Sequence, residues 1–281
     1  MFKYSAFSVL VFLLFSCGGE EALNDSETND SLTNEVVYRC AVAGHVYGSS
    51  TYYTESIHPP FLKKIKELNE SMDIQSLVLT GDVVVHARPS QWDSTVKQLD
   101  SLQIPWYIAP GNHDVDGGFK ENVQSSYYLS FQFEDHLFLV LNTSYEGWKP
   151  DSAQQLFIQE ELEKVKGKDE ASVFVFSHQL WWQKDAPDEF ELDSVRTNSY
   201  ALFDGKESFW DVAFPFFEEL ENDIYFFGGD LGCEPVIKSY YEDHYQNFHF
   251  YGSGMGSRSE DNFLLIQIYQ DRAVKIQRID F

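Results

Sequence analysis

The sequence predicts an α/β fold, in which strands of a largely parallel sheet alternate with helices. Three short apolar runs, at residues 36–42, 74–79 and 104–108, have the length and composition of buried strands. Each run ends at a turn or loop followed by polar residues, and open α/β sheets bind ligands at the carboxyl ends of their strands. The 281 residues suit one large domain or two small ones, and the 43% hydrophobic content can supply a sizeable core.

The segments between these strands have helical periodicity. Apolar residues recur every three or four positions over residues 56–70, and Pro59-Pro60 falls in the first turn. Residues 89–102 show the same spacing, with Trp92 and Leu99 on one face. The order β-α-β-α-β is typical of a parallel sheet.

The second half of the chain continues with both kinds of element. It predicts a strand pair at 127–133 and 136–141, a helix at 151–166, a strand at 173–176, a helix at 208–221 kinked at Pro215, a strand at 224–227, and short strands from 236 onward. Residues 181–207 are aromatic, acidic and without periodicity, which indicates an insertion over a site. We find no internal repeat in the sequence.

The charge balance excludes some classes of partner. With 45 acidic and 20 basic residues the formal net charge is -25, and no basic cluster interrupts it. A nucleic-acid binder needs a basic footprint, so we expect no nucleic-acid partner, and an anionic membrane surface is disfavoured for the same reason. The acidic composition still permits a phosphorylated small molecule as substrate, because a bound metal ion makes the local electrostatic potential positive.

The first 17 residues are typical of a targeting segment. Lys3 is followed by an apolar run too short for a membrane span, which needs about 20 residues. Leu14-Phe15-Ser16-Cys17 looks like a bacterial lipobox, in which Cys17 carries the lipid, and the alternative is an ordinary signal peptide with an incidental cysteine. We therefore expect a lipoprotein of the bacterial cell envelope, attached to the membrane by its N-terminal lipid alone.

A polar tether and one folded domain follow this segment. Residues 18–35 are almost free of apolar side chains and predict a disordered linker, so the domain occupies residues 36–281. Cys40 and Cys233 remain in the mature chain. An extracytoplasmic setting permits a disulfide between them, which the sequence does not establish.

Polar side chains capable of binding metal follow five predicted strands. They are His45, Asp82, Asn112 with His113 and Asp114, His178, and Asp230. Each has a simpler interpretation: a loop or core histidine, a helix cap, or a carboxylate in a glycine turn. Imidazole, carboxylate and amide oxygen are nevertheless ligands for Zn, Fe or Mn, and a parallel sheet gathers its strand ends at one edge. The set therefore predicts a divalent metal site.

The order of these motifs resembles the calcineurin-like metallophosphoesterases over residues 36–281. Three of the five motifs that this family usually shows are present: Gly81-Asp82, Gly111-Asn112-His113-Asp114 and Ser177-His178. The closing glycine-rich run 252–256, followed by strands, is similar to the family's C-terminal sheet. The resemblance implies a four-layer αββα sandwich, with two mixed β-sheets flanked by helices.

Two motifs depart from the family pattern. Ala43 stands where the first motif has an aspartate, and Asp230 and Gly232 stand where the last motif has two histidines. By the resemblance, one metal position keeps His45 and Asp82 but loses two ligands. The other position keeps Asp82, Asn112 and His178, with Asp230 as an acceptable replacement for its fourth ligand. The sequence therefore favours one metal ion over two.

The remaining predictions concern catalysis. His113 is a candidate general acid toward the leaving oxygen, and we expect Asp114 to hold its tautomer. His45 is a candidate substrate contact as well as a candidate ligand, and His86 either faces the same cleft or lies at the surface. Two functions stay open: a metal-dependent hydrolase acting on a small-molecule phosphate ester, and a catalytically inactive relative that binds a ligand or partner.

Overall fold

A computed structural model describes residues 34–49, 57–115, 117–144, 148–199 and 207–281. These residues belong to one compact unit that extends from Asn34 to Phe281. The predicted signal segment, Cys17 and most of the predicted tether lie outside the described residues. None of the helices that the structure describes combines the length and apolar composition that crossing a membrane requires.

The described chain contains eleven strands, and the apolar runs of the sequence form most of them. In chain order they are β1 Val36–Ala43, β2 Ser76–Leu79, β3 Trp106–Ile108, β4 Leu129–Phe133, β5 His136–Val140, β6 Val173–Ser177, β7 Ile224–Gly228, β8 Tyr240–Tyr245, β9 Phe248–Ser253, β10 Asn262–Tyr269 and β11 Val274–Asp280.

These strands form two mixed sheets rather than a single parallel one. The first has the order β11-β10-β1-β2-β3, in which β1, β2 and β3 are parallel and the C-terminal strands are antiparallel. The second has the order β4-β5-β6-β7-β9-β8, in which β5, β6, β7 and β9 are parallel. The sequence-based expectation of one edge gathering all five motifs is therefore wrong, because the motifs come from two sheets.

The described helices lie close to their predicted positions, except for the short α3, which the sequence analysis did not predict. They are α1 Pro59–Met72, α2 Pro89–Asp100, α3 Phe119–Asn122, α4 Ser152–Leu162, α5 Phe209–Val212 and α6 Phe214–Phe217. The predicted helix at 208–221 is two short helices, and Pro215 lies in the first turn of α6, where its missing N–H is not needed. Helix α4 begins at a cap in which the Asp151 carboxylate accepts from the Gln154 N–H at 2.8 Å.

Three apolar layers hold the sheets and helices together, as the alternation of side chains along each strand dictates. Cys40 and Val42 of β1 pack against Phe138 and Phe174 between the two sheets. Ala41 and Ala43, on the opposite face of β1, pack against the helical side with α1 and α2. The outer face of the second sheet packs against α4, α5 and α6. The result is the four-layer αββα sandwich that the resemblance implies.

The two cysteines of the domain are not joined by a disulfide in the structure. Cys40 is fully buried between the sheets, whereas Cys233 is half-buried in the loop after β7. Burial raises the pKa of the Cys40 thiol to about 12, which makes it an inert packing residue. The disulfide that the sequence permits is therefore not formed in this structure.

Candidate metal centre and active site

The site begins at two turns whose backbone is strained. His45 follows β1 and Asp82 follows β2, and these residues have φ angles of 52° and 51°. Residues other than glycine rarely adopt this left-handed conformation, which persists where the surrounding structure enforces it. The His45 N–H donates to the Gly81 carbonyl at 3.0 Å, so the two turns hold each other in place. Both side chains are thereby buried at the ends of parallel strands.

Asp82 joins the strand ends of the two sheets. Its Oδ2 lies 3.6 Å from His45 Nε2, and its Oδ1 lies 3.3 Å from His178 Nε2. The backbone N–H of His113 donates to Asp82 Oδ1 at 3.3 Å. One carboxylate therefore links residues that follow β1, β2, β3 and β6, as expected of a bridging group.

His178 and Asp230 complete this side of the site. The Nδ1–H of His178 donates to the Thr80 carbonyl at 2.9 Å, which leaves Nε2 facing the two carboxylates. Asp230 Oδ1 lies 3.6 Å from His178 Nε2. The other oxygen, Oδ2, accepts from the Ser199 N–H at 2.9 Å, so the insertion orients Asp230. Each residue thus presents one donor atom to the same space.

Three buried polar atoms of the strand-end motifs make no hydrogen bond. They are Asn112 Oδ1, His178 Nε2 and Asp230 Oδ1. His178 Nε2 is compensated by its ion pair with Asp82, but the unpaired buried oxygens of Asn112 and Asp230 are costly and need an explanation. Ligands about 2.1 Å from one tetrahedral ion lie about 3.4 Å from one another, and the His178 separations of 3.3 and 3.6 Å bracket this value. The donors present fit a divalent metal ion.

The set is not fully closed around one point. Within the described ranges, no three His, Cys, Asp or Glu side chains are gathered into a group that meets the geometry of a metal site. A metal site is therefore supported by the pairwise spacing of Asp82, His178 and Asp230. The amide oxygen of Asn112 is a further candidate ligand, but asparagine is not among these four residue types. Binding an ion requires these side chains to draw together.

The charges of these residues are strongly coupled. Burial alone would lower the pKa of His178, but Asp82 and then Asp230 raise it to about 10. Burial raises the pKa of Asp82, yet His178 and His45 outweigh burial and hold it well below its usual range. Burial raises the pKa of Asp230 to about 6. The positive charge of protonated His178 offsets the negative charges of Asp82 and Asp230 in the metal-free protein. A bound metal ion would supply this positive charge instead, with His178 deprotonated.

The other side of the site is built differently. Burial lowers the pKa of His45 to about 4, so its ring is neutral, and its Nδ1–H donates to the Met255 carbonyl at 3.0 Å. Gly232 has a φ of 87°, and a Cβ there would lie 2.9 Å from the carbonyl carbon and oxygen of Gly254. A histidine at position 232 would be strained in its backbone and crowded by its neighbour. Ala43 is fully buried on the helix-facing side of β1.

His113 and Asp114 lie in the site, but not in the relationship predicted from the sequence. The Nδ1–H of His113 donates to the Val85 carbonyl at 2.7 Å, which fixes the tautomer and leaves Nε2 for another partner. Asp114 is fully buried and accepts from the N–H groups of Gly111, Val83 and Val84. The expectation that Asp114 holds the His113 tautomer is wrong, since its oxygens fix the turns that carry Asp82 and Asn112 instead.

His86 does not join the buried residues around Asp82. Its side chain is exposed, and its backbone N–H donates to Gln91 Oε1 at 3.1 Å at the start of α2. Of the two interpretations that the sequence left open, the surface position describes this residue.

Sequence reasoning missed two contributors to the site. Tyr47 is buried, with its ring centroid 4.2 Å from that of His45 and 5.6 Å from that of His113. Ser199 supplies the N–H that holds Asp230. The position of Tyr47, two residues after His45, could have indicated that it lies near the site. Nothing in the sequence predicts that the insertion contacts Asp230.

Comparisons with known proteins agree with this architecture. The family model described as calcineurin-like phosphoesterase matches residues 54–233, a range that starts after His45 and ends at Cys233. The chain is 33% identical over 86 residues to a 3',5'-cyclic-nucleotide phosphodiesterase of Nostoc sp., an alignment that covers 30% of this chain and 32% of that protein. The chain therefore spans about a third of this curated relative.

A solved structure extends the likeness to nearly the whole domain. A dimetal phosphatase from Danio rerio superposes with a TM-score of 0.58 at 9% identity, over 88% of this chain and 100% of that one. At this identity the likeness concerns the fold alone. Together with the family match over most of the domain and the strand-end motifs, it shows that this chain belongs to the calcineurin-like phosphoesterase family, whose members use divalent metals.

Proposed function

We propose that this protein hydrolyses a phosphate ester with one divalent metal ion held by Asp82, Asn112, His178 and Asp230. The observation that carries the proposal is the spacing of 3.3 and 3.6 Å from His178 Nε2 to the carboxylates of Asp82 and Asp230, together with the unpaired buried oxygens of Asn112 and Asp230. Amide oxygen, carboxylate and imidazole suit Mn, Fe or Zn. When bound, such an ion polarises a phosphoryl oxygen and lowers the pKa of a water molecule.

The chain's own residues supply the remaining roles. His113 is positioned as the general acid, because Val85 holds its Nδ1–H and leaves Nε2 to protonate the leaving oxygen. Neutral His45 presents an unprotonated Nε2, which suits a hydrogen-bond donor on the substrate or a metal ion. Asp114 acts through the backbone that it holds and does not touch the substrate.

The substrate class is proposed only as a phosphate ester of a small molecule. The acidic composition disfavours a nucleic acid as substrate. The similarity to a cyclic-nucleotide phosphodiesterase makes 3',5'-cyclic nucleotides one sensible member of a substrate panel.

A second function is supported by the two lost ligand positions. Ala43 and Gly232 replace two ligands of one of the family's two metal positions. The left-handed φ of Gly232 disfavours a histidine at that position. An inactive relative that binds a ligand or partner in the same cleft would have this appearance.

Metal analysis of the purified full chain, together with a panel of phosphomonoesters and phosphodiesters, tests the proposal. We expect about one equivalent of metal and turnover that EDTA abolishes. Bound metal without turnover on the panel favours the ligand-binding relative. Protein that takes up no Mn, Fe or Zn contradicts the metal-dependent hydrolase.

We also propose that the protein is anchored to the bacterial cell envelope through Cys17. The lipobox-like run 14–17 and the polar segment behind it support this assignment. Wild-type protein should partition into membranes, and Cys17→Ala should fail to mature. Soluble wild-type protein cleaved at a different position would contradict the anchor.

A further inference from the structure

A short segment of the insertion crosses the turn that carries Asp230. The Asn198 N–H donates to the Asp230 carbonyl at 2.9 Å, and the Ser199 N–H donates to Asp230 Oδ2 at 2.9 Å. The Asn198 side chain reaches the other end of this turn, where its Oδ1 accepts from the Cys233 N–H at 3.2 Å. Asn198 is therefore fixed at both its backbone and its side chain, directly beside a proposed metal ligand.

The orientation of the Asn198 amide leaves one group unused. Because Oδ1 accepts the Cys233 N–H, the amide nitrogen Nδ2 must face away from Cys233. This Nδ2 is buried and has no hydrogen-bond partner in the structure. A buried amide with two N–H donors and no acceptor is unfavourable, so the position indicates an acceptor that arrives with a ligand.

The chemistry of the neighbouring residues narrows the choice of ligand. Asp230, which the segment 198–199 holds, offers a carboxylate that suits a cation, whereas Asn198 Nδ2 can only donate. An amide N–H is no metal ligand, but it is a suitable partner for a phosphoryl oxygen.

We infer that Asn198 contacts the substrate, with Nδ2 donating to a non-bridging oxygen of the phosphoryl group. This inference rests on the proposed function and assigns a substrate contact outside the strand-end motifs. It gives the insertion two roles: its Ser199 N–H orients Asp230, and its Asn198 side chain binds the group on which the metal acts.

Two substitutions test the inference with inorganic phosphate as the probe. Asn198→Asp keeps an oxygen for the Cys233 N–H and replaces the donor with a charged acceptor, while Asn198→Ala removes both groups. The matched control is Ser194→Asp, which adds the same charge at an exposed position four residues earlier. Titration calorimetry of each full-length, Mn²⁺-loaded protein gives the phosphate affinity, and elemental analysis gives the metal content.

We expect Asn198→Asp to weaken phosphate binding at least about tenfold, with metal content and the Ser194→Asp affinity unchanged. Asn198→Ala should also weaken binding, and an unchanged phosphate affinity in this variant overturns the inference. An unchanged affinity in Asn198→Asp, or an equal loss in Ser194→Asp, overturns the inference. Loss of metal in both Asn198 variants also overturns it, since the residue would then only position Asp230.

The outcome for the wild type separates this inference from the proposed function. If the wild type takes up no metal, the metal-dependent hydrolase is wrong. The inference survives in that case only if metal-free protein binds phosphate and Asn198→Asp weakens that binding. If metal-loaded wild type binds no phosphate, the inference is wrong while the metal site stands.

Discussion

The two halves of the site differ in how many of their donor atoms are in place. The His178 half comprises Asp82, Asn112, His178 and Asp230, and the buried oxygens Asn112 Oδ1 and Asp230 Oδ1 make no hydrogen bond. The His45 half comprises His45, the same Asp82, and positions 43 and 232, where the family's ligands are replaced by alanine and glycine. Tyr47 packs its ring against His45 in this half.

This difference between the two halves shows that polar residues buried at a strand end do not by themselves form a metal-binding site. Both halves are buried and both contain a histidine close to Asp82. The His178 half contains buried oxygens without a hydrogen bond, on Asn112 and Asp230, and two carboxylates raise the pKa of His178, whereas burial lowers the pKa of His45. We therefore expect the halves to respond differently to substitution.

The largest effect is expected from Asp82→Ala, which removes the residue shared by both halves. The variant should lose its metal, and turnover should fall at least about a thousandfold because several kcal/mol of metal assistance disappear. Elemental analysis and initial rates measure both. Asp93→Ala, at an exposed position of α2, is the matched control and should behave as wild type. Retained metal in Asp82→Ala would show that the halves do not share this ligand.

The next effect is expected from His113→Gln. Loss of the general acid should reduce turnover about a hundredfold or more, while metal content stays at the wild-type level. Substrates with a better leaving group should be affected less, because they need less protonation. If the variant loses its metal instead, His113 belongs to the ligand set and its assignment as the acid fails.

The double change Ala43→Asp with Gly232→His attempts to rebuild the His45 half. Metal content should rise from about one toward two equivalents, but the left-handed backbone at position 232 should cost about 1–3 kcal/mol of folding stability. Gly232→Ala separates this strain from the effect of the imidazole. A folded double variant with unchanged metal content would show that these two positions do not face an ion.

The smallest effect is expected from Tyr47→Phe. Burial, followed by the negative charge of Asp82, raises the pKa of Tyr47, so its hydroxyl stays protonated and is a poor ligand. Metal content should not change, and turnover should stay within about threefold of wild type. A loss of metal would identify the Tyr47 hydroxyl as a replacement ligand and would erase the distinction between the halves.

The sequence predicted the elements whose signal is local. Buried strands such as β6 and β7 are continuous apolar runs, and the Gly111–Asp114 string follows β3 directly, so both were visible without a partner strand. The division into two sheets was not worked out from periodicity, because strand pairing depends on contacts between distant segments. It entered only through the resemblance, and the family match and the structure confirm it.

The parts of the site that escaped prediction depend on long-range hydrogen bonds. Asp114 holds Val83 and Val84, about thirty residues earlier, and Ser199 holds Asp230, about thirty residues later. No spacing rule connects such pairs, so the role of Asp114 was misassigned and that of Ser199 was missed. Gly232 has a left-handed φ in the structure, a conformation that glycine adopts without strain.

Anomalous diffraction from crystals of the full chain grown with Mn²⁺ tests the central claim most directly. The account predicts one strong peak in contact with Asp82, Asn112, His178 and Asp230, and no second peak between His45 and Asp82. Two peaks of similar height, or a single peak at His45, would contradict the assignment of one ion to the His178 half.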